Sequence, residues 1–151
     1  DVLTLQKSAL LRLSTSSASD RISKLRKIES YLMRHKEELC DALYADFKKP
    51  ASEVVIAEML GVKREINHTI KHLKSWMKPQ SVSTPLMLLG TKGLVQYEAK
   101  GLCLIISPWN YPFQLAFSPL IAAIAAGKPA PVAQHQRAGT AQSGRRHDRP
   151  G

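Results

Sequence analysis

Cysteine is almost absent from this chain. Cys40 and Cys103 are its two thiols, too few for the disulfide framework of a small secreted domain, so a cytoplasmic setting is the expectation. Long apolar runs are missing as well. The longest candidate, residues 115–126, is broken by Ser118 and Pro119 and falls short of the roughly 18–20 residues that a membrane span needs. The first residue is Asp1 rather than Met, so an upstream piece is expected, and no basic-then-apolar leader opens the chain. A metal constellation is lacking too. His68 and His72 sit four apart, but with no third ligand and no His-Glu-x-x-His pattern they read as a solvated helix face. Acids are outnumbered, 12 against 22 basic residues, for a net charge of +10. Residues 128–151 hold five of those basic groups against the single acid Asp148. The other charges interleave along helical patterns, and no nucleic-acid motif accompanies them. No nucleic-acid partner is therefore expected, and binding through the basic tail ranks behind the readings below.

With 44% apolar residues the chain has the material for a core. Ser19 or Asp20 is positioned to cap a helix whose apolar stripe runs Ile22, Leu25, Ile28, Leu32, Leu39, Leu43 and Phe47, with Lys36 at its one polar position. Pro50 ends it. Ser52 then caps a second helix with the stripe Val55, Met59, Val62, Ile66, Ile70, Leu73 and Met77, closed by Pro79. A further helix fits residues 2–16. Beyond Pro79, an extended polar stretch (residues 81–85), a turn at residues 90–93 and period-two alternation over residues 94–98 read as a two-stranded arm. The run Leu102-Cys103-Leu104-Ile105-Ile106 has the pattern of a parallel strand buried on both faces. A loop from Ser107 to Pro112 and an Ala-rich helix over residues 113–126 follow, with Gly127 at its end. This is the opening half of a βαβ unit. Residues 128–151 contain Val132 as their one bulky apolar side chain. They read as a basic, unstructured tail, which leaves the strand unpaired and the isolated chain loosely ordered.

Chemistry concentrates in Ile106-Ser107-Pro108-Trp109-Asn110-Tyr111-Pro112. The segment puts a carboxamide on a stiff loop at the carboxyl end of a strand, where ligands bind in open α/β sheets. Two prolines fix torsions on either side of Asn110. A neutral N–H suits an oxygen that becomes negative during reaction, where an aspartate would repel it. Cys40 and Cys103 read as ordinary helix and strand thiols, since no histidine neighbours Cys103 in sequence.

This segment resembles the proline-tryptophan-asparagine motif of aldehyde dehydrogenases, and its extended form is most similar to the class 3 and fatty-aldehyde branch. The likeness extends through residues 42–50, Trp76-Met77-Lys78-Pro79 and Thr84-Pro85, and forward to Ala125-Ala126-Gly127, covering nearly all of residues 10–127. The resemblance implies an α/β fold. It divides into a helical layer (1–79), an oligomerisation arm (80–100), the first strand-loop-helix of an incomplete Rossmann-like NAD(P)-binding domain (101–127), and a divergent tail (128–151). It also implies oxidation of aldehydes to acids with NAD or NADP. A cysteine thiolate attacks the carbonyl, Asn110 holds the oxyanion, and a glutamate-activated water releases the acid. Ile106, Ser107, Pro108 and Trp109 are implied on the nicotinamide side of the cofactor, and a homodimer is implied through the arm. The catalytic cysteine and glutamate have no counterpart here, so this chain alone is expected to be inactive. The departure after Gly127 points to truncation or a shifted reading frame near codon 128. The other reading is a non-catalytic oligomerisation or regulatory fragment.

Overall fold

The computed structural model describes residues 2–134. Helix α1 (Val2–Ser14) leads into α2 (Ala18–Arg34) and α3 (Lys36–Phe47). Ser17 caps α2, rather than Ser19 or Asp20. Its hydroxyl oxygen accepts the Asp20 N–H at 3.1 Å, and Asp20 Oδ2 accepts the Ser17 N–H at 3.2 Å. Asp20 is thus the answering acid of a capping box, and the Ser17 hydroxyl and N–H hold its carboxyl below the usual carboxylate range.

The single helix expected over residues 20–47 is interrupted at His35. The break changes the phase of the stripe. Leu25, Leu32 and Leu43 are buried as anticipated, while Cys40 joins them and Leu39 is partly buried. The next helical stretch begins at Ala51 with Pro50 as N-cap, not at Ser52. One turn, α4 (Ala51–Glu53), passes into a π-helical segment (Val54–Met59) and then α5 (Leu60–Trp76). The wider π turn shifts the inward face, so Val54 and Glu58 are buried together with Met59. Beyond it, Val62, Ile66 and Leu73 follow the anticipated stripe. Helix α6 (Pro112–Ala125) lies against α5 and α2. The core is Leu25, Val62 and Ile66 against Phe113 and Ile121.

Strands β1 (Gln80–Val82) and β2 (Gly93–Val95) form an antiparallel pair in the register Gln80↔Val95, with a short 3-10 turn (Leu86–Leu88) between them. Strand β3 (Ile105–Ser107) pairs in parallel with β4 (Val132–Gln134), Ile105 opposite Val132. The expectation of an unpaired strand and an unstructured tail is therefore corrected for residues 128–134. The Cys103 N–H donates to Pro129 O at 3.1 Å and the Ile105 N–H to Pro131 O at 3.0 Å. What the ladder needs at those two sites is a carbonyl, which proline retains, and not an apolar side chain. With its strand paired, the predicted looseness loses its premise; the rest of the tail expectation, residues 135–151, lies outside the described residues. Strand β3 is also not buried on both faces. Ile105 and Ser107 face inward while Ile106 is 66% exposed, because among the described residues one helix, α6, packs on this strand from one side.

Helix α6 ends in a Schellman motif: the Lys128 N–H reaches Ala123 O at 2.9 Å and the Gly127 N–H reaches Ile124 O at 3.0 Å. Gly127 takes φ +72, and a Cβ there would lie 2.5 Å from Arg21 Nη2 and 2.8 Å from Leu13 O. The Arg21 guanidinium is buried and occupied on three sides. It donates to Ala125 O (2.8 Å), Ser14 O (3.0 Å) and Ser16 Oγ (3.1 Å), joining the ends of α1 and α6. Gly127→Ala is expected to lower stability by about 3 kcal/mol, from left-handed strain plus one displaced charged hydrogen bond. Urea denaturation measures it, and an unchanged midpoint would contradict this packing.

Candidate active site

The Asn110 loop is strung between two fixed points. Its first is Ser107, the last residue of β3, fully buried with no hydrogen-bond partner for its hydroxyl among the described residues. Its second is Pro112 at the first position of α6, where a missing N–H costs nothing. Between them Pro108, Trp109, Asn110 and Tyr111 are all exposed. Trp109 is stacked near the Phe47 ring, centroids 6.2 Å apart at 18°.

Beneath the loop lies an ion pair. Lys49 Nζ is 2.8 Å from Glu58 Oε1 and donates to the Asn110 carbonyl at 2.7 Å. It also stands 4.2 Å from the centre of the Tyr111 ring, within cation–π range. Glu58 has no exposed surface. Its second oxygen accepts the N–H groups of Phe113 (2.9 Å) and Gln114 (3.3 Å). These are orphan donors of the first turn of α6, for which Tyr111, the N-cap, supplies no side-chain bond.

The backbone of Asn110 is thus held while its exposed carboxamide makes no hydrogen bond among the described residues. A neutral donor on a tethered backbone is what stabilisation of a developing oxyanion calls for. Of the residues expected on the cofactor side, Ile106, Pro108 and Trp109 present exposed apolar surface. Such a wall suits a flat heteroaromatic ring. The Ser107 side chain is turned inward and the residue has no exposed surface, so it stands beneath that apolar surface as the buried end of β3.

The sequence reading missed Lys49 and Glu58. One signal was available: Glu58 is the lone charge between Val54 and Val62, and an isolated charge in an apolar run is buried with partners or not at all. His68 and His72 lie against each other with their rings tilted by 40°, centroids 4.3 Å apart, and both lie 5.7 Å from the Trp76 ring. No group of three metal-ligating side chains occurs among the described residues, and none of their helices is long and apolar enough to cross a membrane. A separate recess of about 1010 Å3, bordered by Arg21, Thr69, Trp76 and Tyr97, contains none of the loop residues.

Comparison with known proteins agrees with this architecture. The chain is 40% identical over 131 residues to the putative aldehyde dehydrogenase AldX of Bacillus subtilis, covering 87% of this chain and 29% of that protein. It is 40% identical over 107 residues to the mouse aldehyde dehydrogenase family 3 member B2, covering 71% and 22%. Among solved structures, the substrate-bound state of Staphylococcus aureus AldH superposes with a TM-score of 0.80 at 38% identity, over 84% of this chain and 28% of that one. PnpE, solved in complex with nicotinamide adenine dinucleotide, shares the fold at 18% identity, with a TM-score of 0.76 over 87% of this chain and 26% of that one. The chain spans less than a third of the length of these relatives. The aldehyde dehydrogenase family profile matches residues 4–132, five residues beyond the limit at Gly127 read from the sequence. A match of that extent, on a fold shared at this level and with an asparagine loop at the end of its parallel strand, makes this chain a member of the aldehyde dehydrogenase family.

Proposed function

We propose that this chain supplies the oxyanion-binding loop and one wall of the nicotinamide site for NAD(P)-dependent oxidation of aldehydes to carboxylic acids. The observation that carries the reading is the Asn110 carboxamide, exposed and unspent on a backbone that Lys49 holds at 2.7 Å. The family resemblance assigns the attacking thiolate to a cysteine that has no counterpart in this chain. Asn110 donates to the carbonyl oxygen as attack makes it negative, and it does so without reorganising. Ile106, Pro108 and Trp109 exclude water from the reacting face, with the buried Ser107 fixing the strand end from which they project. The nicotinamide, when bound, supplies the hydride acceptor.

Neither thiol of this chain replaces the nucleophile. Cys40 is buried in the helical core, and Cys103 is part-buried with its N–H in the β3–β4 ladder. The purified 151-residue chain is therefore expected to give no aldehyde-dependent NAD(P)H. A hybrid tests the positive half: residues 4–132 replace the matching segment of the Staphylococcus aureus enzyme. Turnover of aldehyde by the hybrid is expected; a folded hybrid that binds nucleotide but turns over no aldehyde overturns the assignment. A homo-oligomeric assembly through the arm is part of the same reading. It is supported by Leu86 and Met87, 82% and 96% exposed between β1 and β2, and sedimentation of the hybrid and its Met87→Glu variant checks it.

A further inference from the structure

Lys49 and Glu58 belong to no part of the reaction described so far, yet they converge under the loop that carries Asn110. A helix start is ordinarily capped by a Ser, Thr, Asp or Asn at its own N-cap position. Here the cap comes from a buried carboxylate 55 residues away in sequence from Phe113. Burying a charge pair is a costly way to satisfy two amides. What the remote pair adds is location: it fixes the loop against the α3–α4 connection, which carries Lys49, and the π segment, which carries Glu58, and local capping cannot do that. The π segment matters for this, because Glu58 lies within it and shares the inward face with Val54 and Met59. Such segments are frequent at functional sites. Lys49 completes the arrangement. It is tied to the carbonyl of the residue whose side chain is the donor, and it closes over the neighbouring Tyr111 ring.

We propose that Lys49 and Glu58 are positioning residues for the Asn110 carboxamide, with Lys49 setting the backbone of residue 110 and Glu58 anchoring both Lys49 and the start of α6. The inference rests on the reading of Asn110 as the oxyanion donor. Donors must stand within a fraction of an ångström of the developing charge, and small displacements are expensive in rate.

Lys49→Met in the hybrid enzyme is the central variant. It preserves the apolar stem and leaves Glu58 its two amide partners, and unchanged circular dichroism verifies folding. A fall in kcat of about ten- to hundred-fold is expected, with nucleotide Kd and aldehyde KM nearly unchanged and partial recovery in Lys49→Arg. Because Lys49 acts through Asn110, adding Lys49→Met to Asn110→Ala should cost no further activity. The inference is overturned if Lys49→Met costs the same factor in both backgrounds, or none while Asn110→Ala lowers kcat. If Asn110→Ala itself leaves kcat unchanged, the proposed function fails instead. A measurement on the isotope-labelled 151-residue chain then still decides the positioning. Lys49→Met should broaden or shift the Asn110 side-chain amide signals while the Phe113 and Gln114 amides stay protected. Unmoved Asn110 signals overturn it.

Discussion

Glu58→Ala is expected to lower the stability of the folded chain by about 3–5 kcal/mol, the range for removing one partner of a buried ion pair. Three groups lose an acceptor at once: the Lys49 ammonium and the N–H groups of Phe113 and Gln114. The two kinds of loss differ. Lys49 has 12% of its side chain exposed and is able to swing toward water, which limits its share. Phe113 is buried, and its stranded N–H carries a desolvation penalty of about 1–3 kcal/mol. For the same reason the double variant Lys49→Met with Glu58→Leu should recover little, although apolar replacement of a buried pair is often harmless. Here the amides of α6 would remain orphaned. Urea denaturation provides the numbers, with an unchanged m-value confirming that the denatured state is not what moved. A change below about 0.5 kcal/mol, typical of surface sites, would show that Glu58 is not the cap described above.

Asn110→Ala is the opposite case, small in stability and large in rate. The side chain is exposed and makes no hydrogen bond among the described residues, so its loss should leave the unfolding midpoint where it was. In the hybrid enzyme, kcat is expected to fall about 10²–10³-fold, the usual cost of one oxyanion donor. Asn110→Asp should be worse than alanine, since a carboxylate adds repulsion to the lost donor. Steady-state kinetics beside a melt of each variant separates the two effects. Loss of activity in step with loss of structure would count against the role of this amide.

Much of this was legible beforehand, and the failures share a cause. The stripes of α2, α3 and α5 are patterns of one element against a core, and periodicity reports them; Leu25, Val62, Ile66 and Leu73 are where they were expected. Phase is harder to read. The interruption at His35 and the π turn at Val54–Met59 each move the inward face by a fraction of a turn, and no composition signal marks either. Residues 129–134 were misread because pairing is made by carbonyls and amides, which a scan of side chains does not see. The Asn110 loop was readable from its prolines and its place after a strand. Its supports were not, since the contacts from Lys49 to Asn110 and from Glu58 to Phe113 span 61 and 55 residues. Local pattern carries no trace of such partners beyond an unexplained charge.

Helix α6 is gripped at both tips by side chains of opposite sign: a carboxylate, Glu58, meets its first amides, and a guanidinium, Arg21, meets the carbonyl of its last residue, Ala125. Each charge opposes the partial charge at its own end of the aligned peptide dipoles. Sliding the helix lengthwise by even a fraction of a turn would break the grip at one end while crowding the other. The segment therefore has no cheap axial motion, and the amide it launches shares that stillness. Exchange of the Phe113 N–H with solvent then proceeds by unfolding of the whole layer and not by fraying of one helix end.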